Sequence, residues 1–381
     1  MSKLEIIATS TFGLEAIVAE EIKSLGYKEV KIENGRVLFK ADETAICRAN
    51  LWLRTADRIR IKLGEFKAVT FDQLFENTKA LPWPDILPRN AAFPVDGKSV
   101  QSTLFSISDC QAIVKKAVVE SMKKRYRTEW FKEDGPLYRI EVSMLKDIAT
   151  LTIDTSGPGL HKRGYRVAGN EAPLRETLAS ALVLIARWKP EIALIDPFCG
   201  SGTILIEAAL IGQNIAPGME RTFASESWPY IPKECWHEAR RETHEQADYS
   251  RELDLTGTDI SAKAVNIARK NAARAGVDQL IHFQTRPLSE LSSKKKYGKI
   301  ICNPPYGERL SELKDVEKLY KEMGKLFNTL DTWSFYILTA HDQFESLFNK
   351  KASKRRKLYH GNIKVHYYQY YGPRPPRRKN S

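Results

Sequence analysis

The chain has 381 residues, enough for two domains and more than one core, and its 42% hydrophobic content is ordinary for a soluble protein. No apolar run approaches the ~20 residues of a membrane-spanning helix, and the start, Met1 to Ala8, lacks the apolar core of a signal peptide. A net charge of +13 fits a polyanionic partner.

The N-terminal part alternates helices and strands. Gly13 to Leu25 reads as an amphipathic helix ended by Gly26. Glu29–Glu33 and Arg36–Phe39 read as strands around an Asn-Gly turn. A helix over Glu43–Leu53, a strand over Arg58–Phe66 and a helix over Phe71–Lys79 follow, then a Pro-rich loop at Leu81–Pro88. Ser99–Ser106 reads as a strand, and Ser108 as the cap of a helix that runs to about Tyr126. Tyr138–Leu145 and Ile148–Asp154 pair as strands. Ser156 to Arg166, rich in Gly, Pro and Arg, reads as a connection in which Lys162, Arg163 and Arg166 are candidates to face nucleic acid. The expected boundaries are 1–155 for the N-terminal modules, 156–172 for the linker and 173–381 for the C-terminal domain.

That domain opens on a helix from Pro173 to Trp188, with proline in its first turn. A strand over Glu191–Asp196, a Gly-containing turn and a helix over Ile204–Ile211 then form a strand–loop–helix unit of an open α/β sheet. Gly212–Arg251 interrupts the alternation and reads as a partly helical insertion. A strand to Asp259, a helix over Ser261–Ala275 and strands at Ile281–Leu288 and Lys299–Cys302 resume it. A helix over Asp315–Leu330, a strand at Ser334–Thr339 and a hairpin with limbs Lys354–Tyr359 and Lys364–Tyr371 complete a seven-stranded, mostly parallel sheet with an antiparallel last strand.

Two segments carry the chemistry: Asp196-Pro-Phe-Cys-Gly-Ser-Gly-Thr203 and Asn303-Pro-Pro-Tyr306. In the first, Gly200 and Gly202 allow positive φ and close approach of a ligand. Asp196 suits a cationic amine, and the amides at Ser201–Thr203 suit a carboxylate at a helix N-terminus. A zwitterionic amino-acid moiety needs both. The loop is neither Gly-x-Gly-x-x-Gly nor a phosphate loop, so a dinucleotide or nucleoside triphosphate is the poorer guess. Asp259, one strand later, suits the two hydroxyls of a ribose, with Ser261 as helix cap. In the second segment, two prolines remove two amide donors and fix φ twice. Carbonyls there, with the Asn303 side chain, can accept both N–H groups of a base amine, and Tyr306 can stack on the base. Together the segments suggest methyl transfer from S-adenosylmethionine to a base amino nitrogen, by positioning and electrostatics. Cys302 ends a strand and reads as a small hydrophobe rather than a nucleophile.

These segments resemble the class I S-adenosylmethionine-dependent methyltransferases that modify exocyclic amines. Ser156-Gly-Pro-Gly-Leu-His-Lys-Arg-Gly-Tyr-Arg166 and Ala172-Pro-Leu-Arg-Glu-Thr-Leu178 narrow the likeness to the THUMP-containing group related to the bacterial large-subunit rRNA guanine-N2 methyltransferase. Thr9–Glu15, Trp52–Arg58 and Ser106–Ala112 extend it through the N-terminal half. Members of this group often carry the label of N6-adenine-specific DNA methylases. The resemblance implies a Rossmann-like methyltransferase domain after ferredoxin-like and THUMP modules. It implies that Asp196, Pro197, Phe198, Cys199, Gly200, Ser201, Gly202 and Thr203 hold the cofactor with Asp259, Ile260, Thr177 and Asn303. It also implies that Asn303, Pro304, Pro305 and Tyr306 are catalytic, with Tyr306, Arg309, Arg163 and Arg166 on the substrate. One departure stands out: Ile281–Leu288 has no acid at its end for the cofactor's adenine amine, leaving Gln284, Thr285 or backbone groups.

The five cysteines (Cys47, Cys110, Cys199, Cys235 and Cys302) include no Cys-x-x-Cys pair. That argues against a metal site and a disulfide framework, and fits a reducing cytoplasm. Basic clusters at Lys115–Arg127, Lys350–Lys357 and Arg374–Lys379 suit RNA phosphates. Large-subunit rRNA is the expected partner. The alternatives are an N6-adenine-specific DNA methyltransferase and a non-catalytic RNA-binding protein.

Overall fold

In the computed structural model of the chain, residues 3–167, 174–307 and 310–376 are described. They form two compact units, each drawn from separate stretches of sequence. The first takes the residues up to Ser10, Val18–Leu160 and Gly218–Thr243; the second takes Thr11–Ile17, His161–Pro217 and the residues from His244 onward.

The first unit runs β1 (Leu4–Thr9), α1 (Glu15–Ser24), β2 (Val30–Glu33), β3 (Arg36–Ala41), α2 (Glu43–Trp52), β4 (Arg58–Lys67), α3 (Phe71–Lys79), α4 (Trp83–Ile86), β5 (Val95–Val100), α5 (Ile107–Tyr126), β6 (Arg139–Leu145) and β7 (Ile148–Asp154). Its strands make one seven-stranded sheet in the order β2-β3-β1-β4-β7-β6-β5. β4 is the seam, paired antiparallel with β1 on one edge and with β7 on the other. The strand expected at Ser99–Ser106 is corrected to Val95–Val100, because Gln101 turns to φ 49 and ends the extended run. Gly97 lies inside that strand because α5 crosses it closely: a Cβ there would stand 3.0 Å from Ile107 Cγ2. The α5 cap is corrected as well. Ser106, not Ser108, precedes the helix, and its side chain makes no capping hydrogen bond.

Two stretches outside this strand run belong to the same unit. Thr155 to Leu160 is fixed in place, with Ser156 Oγ donating to Asn50 Oδ1 at 2.6 Å and accepting from the Ile59 amide at 2.8 Å. Of the segment read as an insertion, Gly212–Arg251, the part Gly218–Thr243 also packs here. Trp228 stacks on Tyr138 at 4.2 Å, and Arg48 pairs with Glu242 at 2.7 Å.

The second unit contains α6 (Glu176–Ile185), β8 (Leu194–Asp196) and α7 (Thr203–Gly212). Helix α8 (Lys233–Gln246) follows, most of it in the first unit. Then come β9 (Leu255–Asp259), α9 (Ala262–Arg274), β10 (Ile281–Thr285), β11 (Lys299–Cys302), α10 (Leu310–Phe327), β12 (Ser334–Thr339), α11 (Phe344–Leu347), β13 (Lys354–His360) and β14 (Ile363–Tyr370). The sheet order is β10-β9-β8-β11-β12-β14-β13. β8 to β12 run parallel, and β14 is antiparallel to both β12 and β13. The order reverses between β8 and β11, and in open α/β sheets the crevice beyond the carboxyl ends at such a point receives ligands. Tyr367, Tyr368 and Tyr370 are fully buried on β14 and serve the core, while Tyr371 beside them is 54% exposed. No helix among the described residues is long and apolar enough to cross a membrane.

Candidate active site

The carboxyl end of β8 leads into the glycine loop. Gly200 adopts φ 50 and Gly202 φ 80, both left-handed. A Cβ at Gly200 would come no nearer to a protein atom than 4.0 Å from Phe198 O, so this glycine faces open space where a ligand can approach. Gly202 is crowded instead, with Ala268 and Phe283 at 3.0 Å from such a Cβ. Backbone bonds tie the loop to its neighbour strand: the Cys199 amide donates to Thr258 O at 3.0 Å, and the Gly202 amide to Cys199 O at 2.7 Å.

Asp196 is 1% exposed and accepts a hydrogen bond from the Phe198 amide at 3.1 Å. Burial pushes its carboxyl up to about 8, assisted by the charge of Asp259. A buried acid at this position is poised for a cation, whose arrival would restore the carboxylate. Pro197 is buried, and Phe198 is partly buried against the core cluster around Ile195 and Ile300. The thiols of Cys199 and Cys302 are pushed far above the ordinary range by burial, which suits inert packing and not a thiolate nucleophile.

Asp259 ends β9 with each oxygen engaged once: Oδ2 accepts from the Gly200 amide at 3.0 Å and Oδ1 from the Ser261 amide at 2.9 Å. A carboxylate has about four lone-pair sites, so capacity remains for two ribose hydroxyls. Ser261 also caps α9 through the Ala264 amide at 3.3 Å. Ile260 beside it is 79% exposed, an apolar surface at the mouth of the loop. Gln284 and Thr285 are exposed at the end of β10. Gly257, inside β9, has no room for a side chain: a Cβ would stand 2.6 Å from Leu205 Cδ1 and 2.7 Å from Phe283 Cδ1. Gly257→Ala is expected to cost about 1–3 kcal/mol by overpacking, visible as a drop of a few degrees in Tm.

β11 is adjacent to β8, so Asn303 emerges beside the glycine loop's strand. The Tyr306 hydroxyl donates to Asn303 Oδ1, folding the tetrapeptide on itself. The turn is anchored from below. The hydroxyl of buried Tyr320 donates to Pro305 O at 2.7 Å and lies 2.8 Å from Thr339 Oγ1. Pro304 is buried and Pro305 exposed. The Tyr306 ring meets His360 edge-on at 6.4 Å. Arg309 lies outside the described residues.

Arg163 requires a correction. It was expected on the substrate, but its side chain is 3% exposed and pairs with fully buried Glu207 at 3.5 Å. Glu207 also accepts from the hydroxyls of Tyr165 and Ser180. Arg163 therefore holds the connecting segment onto α7. Removing one partner of a buried pair strands the other charge. Arg163→Met is expected to cost about 3–5 kcal/mol, measured as a lowered urea midpoint. Arg166 stands closer to the loop than expected, with Glu176 at 2.9 Å and Ser201 Oγ and Thr203 Oγ1 at 3.4 Å. Thr177 is buried in the first turn of α6. Sequence reasoning missed Asn271. From α9 it donates to Ser201 O at 2.9 Å and accepts from the Val167 amide at 2.9 Å, bracing loop and connection together. Its signal was a polar residue at a core position of an otherwise amphipathic helix.

Comparison with known proteins fits this geometry. A family model described as "RMKL-like, methyltransferase domain" matches residues 163–369. The chain belongs to that family. An "RlmL ferredoxin-like domain" matches residues 5–60 and a THUMP domain residues 68–154 of this RMKL-like methyltransferase. It is 53% identical to "Putative RNA methyltransferase YpsC" of Bacillus subtilis (strain 168), over 100% of this chain and 99% of the relative. A crystal structure of "a predicted N6-adenine-specific DNA methylase" from Listeria monocytogenes str. 4b F2365 matches with a TM-score of 0.94 at 53% identity, covering 98% of this chain and 97% of that one. The structure of SMU.472, "a putative methyltransferase complexed with SAH", matches with a TM-score of 0.94 at 46% identity over 98% and 100% of the two chains. The protein is an S-adenosylmethionine-dependent methyltransferase with the expected architecture.

Proposed function

We propose that this enzyme methylates an exocyclic amine of an RNA base, the N2 of a guanine in large-subunit rRNA. The carrying observation is the Asn303–Tyr306 turn at the end of β11, beside the strand that ends in Asp196 and the glycine loop. The THUMP match and the name of the Bacillus relative support RNA as substrate. The guanine N2 rests on the likeness of the connecting and catalytic segments to the rRNA group. Five free cysteines, four of them buried, fit action in the cytoplasm.

In this reading Asp196 holds the cofactor's amine, the amides of Ser201 and Thr203 its carboxylate, and Asp259 its ribose. When bound, S-adenosylmethionine supplies an electrophilic methyl group. Asn303 Oδ1 accepts an N–H of the target base, taking it in place of the Tyr306 hydroxyl. Tyr306, released, stacks on the base, a contact worth about 1–3 kcal/mol. The base must leave its stack to enter, and the amine nitrogen loses its proton only as it gains the methyl.

The test is transfer of tritium from labelled cofactor to unmodified large-subunit rRNA, small-subunit rRNA, tRNA and duplex DNA, followed by nucleoside analysis. Label in N2-methylguanosine of large-subunit rRNA is the expected result. Label in N6-methyladenine of DNA would overturn the substrate while retaining the roles of Asn303 and Tyr306.

A further inference from the structure

A cavity of about 390 Å³ lies between the connecting segment and the start of α6, lined by His161, Lys162, Arg163 and Arg166 on one side and Arg175 and Glu176 on the other. Its charges do not cancel. Arg163 is taken up by Glu207 and Arg166 by Glu176. Lys162 and Arg175 are exposed, and neither has a carboxylate partner among the described residues. Among the described residues, the cavity therefore carries two cations without a carboxylate partner, beside two arginines already neutralised by ion pairs. Arg166 ties the cavity to the glycine loop through Ser201 and Thr203.

We propose that this cavity is a phosphate subsite, in which Lys162 and Arg175 grip a backbone phosphate of the RNA close to the target base. The inference rests on the RNA methyltransferase reading; of the cations first expected to face nucleic acid it keeps Lys162, and it puts Arg175 in the place expected of Arg163. Cations on flexible, exposed stems suit a strand that must be seized from solvent and released. The buried pairs below them hold the cavity's shape without adding charge. A phosphate fixed here would act as the fulcrum about which the neighbouring nucleotide turns out of its stack. The alternative anion is the carboxylate of the cofactor, since Arg166 joins the cavity to the glycine loop, and the two sources differ in what they predict.

The test uses the full chain with Lys162→Ala, Arg175→Ala and the double variant. Lys318→Ala, which removes an exposed cation from α10 in the same unit, controls for loss of charge alone. Binding of an unmodified large-subunit rRNA transcript is measured across a salt series, and binding of S-adenosylmethionine by calorimetry. Each single variant is expected to flatten the slope of log affinity against log salt by about 1 and to weaken RNA binding about tenfold. Cofactor affinity should stay within about twofold, and Lys318→Ala should change neither. Two results would overturn the subsite: RNA binding in both variants no weaker than in Lys318→Ala, or loss of cofactor affinity with RNA binding intact, which would give the cavity to the carboxylate. If the unaltered enzyme binds no RNA, the RNA reading fails and this inference falls with it. RNA binding that ignores the substitutions removes the inference alone.

Discussion

Asn303→Ala should lower kcat by about a hundredfold to a thousandfold while leaving the affinity for S-adenosylmethionine within about twofold. Both halves follow from position. Asn303, expected from the resemblance on both cofactor and base, stands at the end of β11, whereas Asp196 and Asp259, proposed to take the cofactor's charged and ribose groups, end β8 and β9. The substitution removes the side-chain oxygen that would orient the amine nitrogen toward the methyl group, and positioning of that kind supplies much of the rate of a transfer that needs no strong base. It also removes the acceptor to which the Tyr306 hydroxyl donates. Tyr306→Phe is the informative companion, because it keeps the ring and removes only that hydroxyl. Calorimetry for the cofactor and single-turnover rates for the RNA separate the two effects. Unchanged turnover in Asn303→Ala would remove Asn303 from the mechanism.

Asp196→Asn is expected to move stability and cofactor binding in opposite directions. Burial raises the Asp196 carboxyl from 3.8 to about 8 in the folded protein. Between those values the native state holds a proton that the unfolded chain has released. The stability linked to this group is therefore full below the unfolded value and is lost as pH rises through the folded one. Asparagine has no such proton, so the variant without ligand should be the more stable of the two near pH 8, by a few degrees in Tm, and the difference should fade toward pH 4. The same change leaves the cofactor's ammonium without its countercharge, and a weakening of about a hundredfold is expected. A second reading comes from protons. At pH 7 the unaltered enzyme should release close to one proton on binding the cofactor, seen as a heat that depends on the buffer's ionisation enthalpy. The variant should release none. Equal proton release in both would show that Asp196 does not face the amine.

Those features that depend on a few neighbouring residues were legible in the sequence. The turn with Gly200 and Gly202, the tetrapeptide from Asn303 to Tyr306 and the short, continuously apolar central strands of the second sheet each announce themselves locally. What escaped depends on partners far along the chain. Asn271 reaches Ser201 across 70 positions. Arg163 looked like a surface cation because Glu207, its partner, lies 44 residues later on a helix that otherwise reads as apolar. β5 was displaced because Asp96, Gly97 and Lys98 dilute its apolar pattern, while α5 needs that glycine to pack closely. The insertion after α7 was recognised as a break in the alternation, but its membership in the first unit is a matter of tertiary contacts such as Trp228 on Tyr138.

The seam strand β4 has a bearing on ancestry. Sequence models divide the first unit into a ferredoxin-like piece ending at residue 60 and a THUMP piece beginning at residue 68. β4 covers Arg58–Lys67 and is hydrogen-bonded on one side into the first piece and on the other into the second. A recombination event between the two pieces would cut a central strand and expose two raw sheet edges, each a template for aggregation. The two pieces are therefore expected to pass between proteins together, with β4 intact. A transplanted THUMP segment starting at residue 68 would need a surrogate for β4 before it could exist as a soluble protein.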